Sequence, residues 1–320
     1  MPERESFRWI QVIETARIAQ RQTQKRILVV ADSEGDINEL YRVALESDIG
    51  FIIRADILRS CKESKPETIK NFLKSSQFID KIVIDVTFRK KIQKLELGKY
   101  QRLSPQHRRA EVFMWAKAIT ISLKDPITRR SHEKRINVVL ADEQPKPEIK
   151  EPLSWLIFTS EKIDSKQDVR NIITKYKFRW QIEEYHRIWK TGCRVEDCRL
   201  SSGPKLTRYL KIMGVIAWRQ HYLTEIGREY SHVSASRFFN PMEIQALKLE
   251  FKDAVDSFLT LGEAWRLIAQ LGGFLNRHSD KNPGATTFWR GLQQIIYTTK
   301  AMEWAIHLSD QPTEKVVKTA

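Results

Sequence analysis

Within KYKFRWQIEEYHRIWK, residues 175–190, one carboxylate is set among two cations and a phenol: Tyr176, Arg179, Glu183 and Lys190 fall at offsets 0, +3, +7 and +14. At about 100° per residue these project to roughly 0°, 300°, 340° and 320°, a single narrow stripe. The spacing predicts one helix, whose opposite side, Phe178, Ile182, Tyr185 and Trp189, is the apolar band that packs on a core. An acid ringed by bases suits a divalent cation and a polyphosphate. Hard cations take carboxylate oxygens, and arginine meets phosphate oxygens with a bidentate fork. The competing reading is an ion-pair ladder of Arg179, Glu183 and Arg187 on a solvated face, worth about 0.2–0.5 kcal/mol per pair.

Phosphoryl transfer on DNA commonly uses two divalent cations about 4 Å apart, so carboxylates from different elements have to converge. The second candidate acid is Asp32. It lies in RILVVADSEGDINELYRVALES, which reads as a short buried strand at 27–31, an acidic loop and an amphipathic helix. That order puts Asp32 at the strand's C-terminal edge. The alternative for Asp32 is a helix cap or loop acid beside Ser33, with Asp36 as a competing cap. FIIRAD at 51–56 is a second buried strand, and SWLIFTSE at 154–161 is a further one that leads into the helix of residues 175–190.

Between these strands the sequence changes character. KIVIDVTF, AEVFMWAKAITISL and RINVVL read as strands, separated by basic turns that include RKK at 89–91, HRR at 107–109 and Arg129–Arg130. This predicts a β-rich insertion at about 60–150 with a cationic face. The connector EQPKPEIKEP at 143–152 closes it. From about residue 200 onward the strands disappear. LTRYLKIMGVIAWRQHYLTEIGRE, MEIQALKLEFKDAVDSFL, GEAWRLIAQLGGFL and TTFWRGLQQIIYTTKAMEWAIHL all have helical spacing, and the tail from Ser309 is expected to fray.

The 320 residues carry 55 Lys+Arg against 40 Asp+Glu, a net charge of +15, which attracts a polyanion and makes nucleic acid the leading partner class. No apolar run reaches the roughly 18 residues of a membrane span, and MPERESFRW is too charged for a signal peptide, so a cytosolic location is expected. Cys61, Cys193 and Cys198 make an odd count without CxxC pairing; free thiols are favoured over a disulfide framework or zinc.

The Y-(2)-R-(3)-E-(6)-K run resembles the signature of DDE transposases of the insertion-sequence-four family, and FRWQIEEYHRIWKTG is especially similar to its transposon-five branch. VADSEGDI, SWLIFTSE and AWRLIAQLGGF resemble three further family segments in the same order, so the resemblance spans essentially the whole chain. It implies an α/β chain with an RNase H-like mixed-sheet core over 1–235, interrupted by the insertion, and a helical dimerisation domain over 236–320. It also implies Asp32 and Glu183 as catalytic ligands of Mg²⁺ (or Mn²⁺). Tyr176, Arg179 and Lys190 would contact phosphates beside the cleavage site, as would Arg54. Trp155 would stack a flipped base. Apart from the resemblance, Trp180 projects to about 40° on the wheel and borders the polar stripe, which suits either a DNA contact or packing at the helix edge, and Arg187 on the same helix is a further DNA-binding candidate.

One departure bears on activity. The family's first catalytic aspartate lies on a strand upstream of the segment matching ESFRW, and only four residues precede that match here. The core is therefore expected to be incomplete. Asp80 and Asp85, the nearest strand-borne acids, lie in the insertion and cannot replace an upstream strand. The resemblance implies the C-terminal portion of a cut-and-paste transposase of the bacterial nucleoid, acting on double-stranded DNA at transposon ends and targets as a homodimer. The alternative is a catalytically inactive remnant or dominant inhibitor that binds DNA or dimerises with intact transposase.

Overall fold

Short β-branched runs joined through a helix favour parallel pairing in a covered sheet. The computed structural model forms such a pair: β1 (Leu28–Ala31) lies parallel to β2 (Gly50–Ala55), with Val29 opposite Phe51 and Ala31 opposite Ile53. The structure describes residues 5–88, 93–94, 100–101, 106–124, 130–146, 149, 152–251, 259–280 and 282–309. The basic turn at 89–91, Arg129, residues 147–148 and 150–151 of the connector, residues 252–258 and the tail at 310–320 lie outside them. The chain divides into two units, Met1–Arg179 and Trp180–Ala320.

In the first unit the strand order is β1-β2-β8-β7-β6-β3, where β3 is Asp80–Phe88, β6 Gln106–Lys124, β7 Ser131–Glu143 and β8 Ser154–Thr159. Every pairing after β1 with β2 is antiparallel. The insertion thus extends the core sheet instead of standing apart from it. A separate short ladder joins β4 (Gln93–Lys94) to β5 (Tyr100–Gln101).

Both faces of the sheet are covered, as the continuous apolar strands require. On one face, α1 (Glu5–Thr23), α2 (Asn38–Glu46) and α3 (Ile69–Lys74) bury Ile13, Leu40, Tyr41, Ile69 and Leu73 against Phe51, Ile53, Leu156 and Phe158. On the other, α4 (Lys166–Lys177) buries Val169, Ile172, Ile173 and Tyr176 against Ile52, Val139 and Ile157. Ser165 opens α4 with a capping box to Asp168, satisfying amide groups that the first turn would otherwise leave bare. Strand alternation puts Arg54 on the same face as Ile52, toward α4.

The single helix expected over 175–190 does not form. Phe178 and Arg179 donate their amides to Lys175 and Tyr176 at 3.1 and 3.0 Å, three residues back instead of four, so α4 tightens and ends there. A new helix, α5 (Trp180–Arg187), follows, and then a π-helical turn over Ile188–Gly192. The expected apolar band is split as well: Phe178 and Ile182 are about half exposed, while Tyr185 and Trp189 pack beside Ile188 and Ala217.

The second unit is helical, as its spacing predicts, with α6 (Gly203–Glu229), α7 (Pro241–Phe251), α8 (Leu261–Leu271) and α9 (Ala285–Ser309). Leu223, Ala246, Leu247, Trp265, Ile268, Phe288 and Ile295 share its core. Backbone approach between α8 and α9 is so close that a Cβ at Gly272 would fall on the carbonyl oxygen of Thr287, and one at Gly291 on that of Ile268. Only glycine fits either place. No helix among the described residues is long and apolar enough to cross a membrane.

Candidate active site

Asp32 leaves the C-terminal end of β1 as predicted, and it also fulfils the capping alternative: its Oδ1 accepts the Glu34 amide at 3.1 Å, opening a 3₁₀ turn at Ser33–Gly35. Its Oδ2 lies 3.5 Å from Nη1 of Arg179. Arg54, one strand over, donates to Ser33 Oγ at 3.2 Å. Tyr176 rises from α4 beneath these groups. It is 4% exposed, so the phenol expected on an open polar stripe is instead a buried wall of the site. The wheel set it opposite the packed side because it assumed one straight helix.

Burial pushes the Tyr176 phenol above its ordinary pKa, while the nearby charges of Arg54 and Arg179 pull the other way. The group therefore stays protonated near neutrality and can donate. The Trp155 indole, half-buried on β8, meets the Tyr176 ring edge-to-face with centroids 5.0 Å apart. The first unit thus brings together Asp32, Arg54, Trp155, Tyr176 and Arg179. The result is an anion-seeking cluster with one carboxylate at a strand end.

The remaining candidates belong to the second unit. Trp180 begins α5 and is 46% exposed. Glu183 stands in the first turn of the same helix, where an acid is favoured by the helix dipole. Arg187 pairs with Glu184 at 2.5 Å, and Lys190, on the π-helical turn, lies 3.3 Å from Glu196. Arg187 turns to Glu184 within α5, and Arg179 approaches Asp32 in the first unit.

Spacing alone did not show what fixes the Asp32 loop. Asp36 caps no helix with its side chain; the N-cap of α2 is Ile37. Its carboxylate instead accepts the Tyr41 hydroxyl at 2.8 Å, the Asp56 amide at 2.9 Å and Arg59 Nε at 2.8 Å. Arg59 also reaches Asn38 Oδ1 and the Asp36 carbonyl. Gly35 closes the loop onto β1, since a Cβ there would sit 2.7 Å from that of Ala31. An Asp four residues after the strand-end acid, followed by Tyr and Arg, was the available signal.

Asp80 and Asp85 lie on β3, the opposite edge of the sheet, five strand spacings or about 24 Å from β1. Asp80 is held there by Arg170 at 2.6 Å. The insertion's cations are interleaved with acids: Arg108 pairs with Glu143, Lys81 with Glu111 and Lys62 with Glu133. Asp32 offers the hard oxygen donor that Mg²⁺ or Mn²⁺ prefers. Among the described residues, no three His, Cys, Asp or Glu side chains gather as a metal site.

The transposase DDE domain matches residues 5–218. This chain belongs to the DDE transposase family. The Tn5 transposase dimerisation domain matches residues 215–311, over the helices that follow. The fold of the DDE transposase core is RNase H-like, and the family works on DNA with divalent metal and assembles through the dimerisation domain.

Proposed function

We propose that this chain acts in cut-and-paste transposition, supplying Asp32 and Glu183 as metal-ligating carboxylates and Arg54, Tyr176 and Arg179 as contacts to the phosphates beside the cleaved bond. The observation that supports this most directly is the clustering of Asp32 with Arg54, Tyr176 and Arg179 at the end of β1. When bound, Mg²⁺ or Mn²⁺ would supply Lewis acidity and neutralise charge on the transferring phosphoryl group. Arg179, now opposite Asp32, is placed to exchange that carboxylate for a phosphate oxygen; Arg54 is held by Ser33 within the same cluster. The protonated Tyr176 adds a donor. Trp155, Trp180, Arg187 and Lys190 extend the DNA contacts in this reading, with Trp155 as the stacking platform for an extruded base. Double-stranded transposon ends and target DNA are the substrates, and the setting is the bacterial nucleoid.

The dimer contact we assign to the outer stripe of α9. Tyr297, Ala301, Trp304 and Leu308 fall at offsets 0, +4, +7 and +11, the seam of a helix pair, and Tyr297, Trp304 and Leu308 are 65–75% exposed. A second reading is a non-catalytic inhibitor that pairs with intact transposase, and the match of residues 215–311 to a dimerisation domain supports the pairing it needs. Purified chain incubated with end-containing DNA and Mg²⁺ or Mn²⁺ separates the two. Nicking or hairpin formation that Glu183→Ala abolishes supports the catalytic reading. Absent activity, with suppression of a full-length relative on mixing, supports the inhibitor.

A further inference from the structure

Helix α6 packs one side into the helical core through Ala217, Gln220, Leu223 and Thr224, and its other side carries an exposed stripe. Arg208, Lys211, Val215, Trp218 and Tyr222 project within about 40° to either side of their mean direction, a stripe of about 21 Å at 1.5 Å per residue. Val215, Trp218 and Tyr222 are 68%, 56% and 41% exposed. The Trp218 and Tyr222 rings are stacked, with centroids 5.3 Å apart and planes inclined by 7°. Beside the stripe runs a groove of about 620 Å³, within the range of small-ligand sites. Its far wall is Tyr185 and Trp189, and its near wall is Lys211, Gly214, Val215 and Trp218. The Tyr185 hydroxyl, donating to the Gly214 carbonyl at 3.3 Å, holds the two walls together.

Charge decides among possible occupants. Residues 203–222 contain Lys205, Arg208, Lys211 and Arg219 and no acid, and the first three are exposed. Arg219 turns to a carboxylate in its own fold, Glu243, at 2.9 Å. A row of exposed cations beside stacked aromatic rings is the combination that binds unpaired nucleic acid, the cations following the backbone and the rings accepting bases. We propose that the groove between Tyr185, Trp189 and α6 seats an unstacked base of the DNA, with Trp218 as its platform and Arg208 and Lys211 on the adjoining phosphates. This contact lies wholly in the second unit. It rests on the family's DNA binding and not on catalysis by this chain.

The test measures binding of the whole chain by fluorescence anisotropy, using a fully paired duplex and the same duplex carrying a short single-stranded gap with 2-aminopurine. The expected result is tighter binding of the gapped DNA. Trp218→Ala should lose about 5- to 100-fold on the gapped DNA and little on the duplex. Lys211→Gln should weaken both and reduce the slope of log affinity against log salt by about one. Both positions are exposed, so the variants should fold, which circular dichroism checks. Wild-type affinities in both variants would overturn the proposal and leave the family's DNA binding standing. Wild-type chain that binds neither DNA would remove the DNA-binding reading as well. Unchanged DNA affinity with altered sedimentation of Trp218→Ala would reassign the face to a protein partner.

Discussion

Replacing Asp36 with alanine tests whether the loop carrying Asp32 is held by buried electrostatics. The Asp36 side chain is 6% exposed and accepts three hydrogen bonds. Truncation strands the hydroxyl of Tyr41, which is fully buried, the Asp56 amide and the Arg59 guanidinium. Each abandoned neutral donor costs about 1–3 kcal/mol, and one-sided loss of a buried charge pair costs about 3–5 kcal/mol. Arg59 is 25% exposed and keeps its bonds to Asn38 and the Asp36 carbonyl, so water can partly rehydrate it. The low end, about 3 kcal/mol, is the expected loss. Urea unfolding followed by tryptophan fluorescence reads it, because Trp9 lies against Gly35 in the same loop. The midpoint should fall with the slope unchanged, and hydrogen exchange should quicken first at residues 32–37. Asp36→Asn retains one acceptor oxygen and should lose roughly half as much. An alanine variant within about 0.5 kcal/mol of the parent would refute the reasoning, since the carboxylate would then not be holding the loop.

Two further outcomes follow from the same geometry. Burial raises the pKa of Asp142, but its bonds to Lys70, Lys74 and Ser154 outweigh this and leave it below the ordinary value. Its stabilisation is therefore fully present above the unfolded-chain value of about 3.9 and is lost as pH falls through the lower folded value. Stability measured against pH should decline below about 4, and Asp142→Asn should start lower and decline less steeply there; superimposable acid limbs would contradict the assignment. On α9, Trp304→Glu places a charge in the exposed seam without touching the unit's core, so sedimentation should shift from dimer toward monomer while helical circular dichroism is retained. A dimer that persists unchanged would move the interface elsewhere.

The sheet and the helices were legible because burial and period agree. Leu28 to Ala31 and Phe51 to Ile53 are apolar on both faces, which only a covered sheet accommodates. The helices after residue 200 repeat at 3.6, and Gly272 and Gly291 needed no periodicity at all to do their work, only the absence of a side chain. What periodicity could not supply was pairing partners. That β3, β6 and β7 continue the core sheet, with β7 next to β8, is a long-range choice made by contacts such as Leu140 opposite Leu156, and no local spacing encodes it.

The candidate residues were chosen by type, and the single stripe drawn through them failed for one reason. A helical wheel assumes that every residue advances by the same angle, and the amides of Phe178 and Arg179 break that rule by bonding three residues back. The break divides one apparent stripe between two helices. Tyr176 stays with α4 and is buried under Trp155, Arg179 reaches Asp32, and Glu183, Arg187 and Lys190 follow on helical turns of their own. A turn that costs two regular hydrogen bonds persists only where the contacts on either side outweigh it. Here the Arg179 contact with Asp32 is one such compensation. The local irregularity and the candidate chemistry therefore fall at the same residues, which is where strain between local preference and tertiary demand is expected in a site built to hold charge.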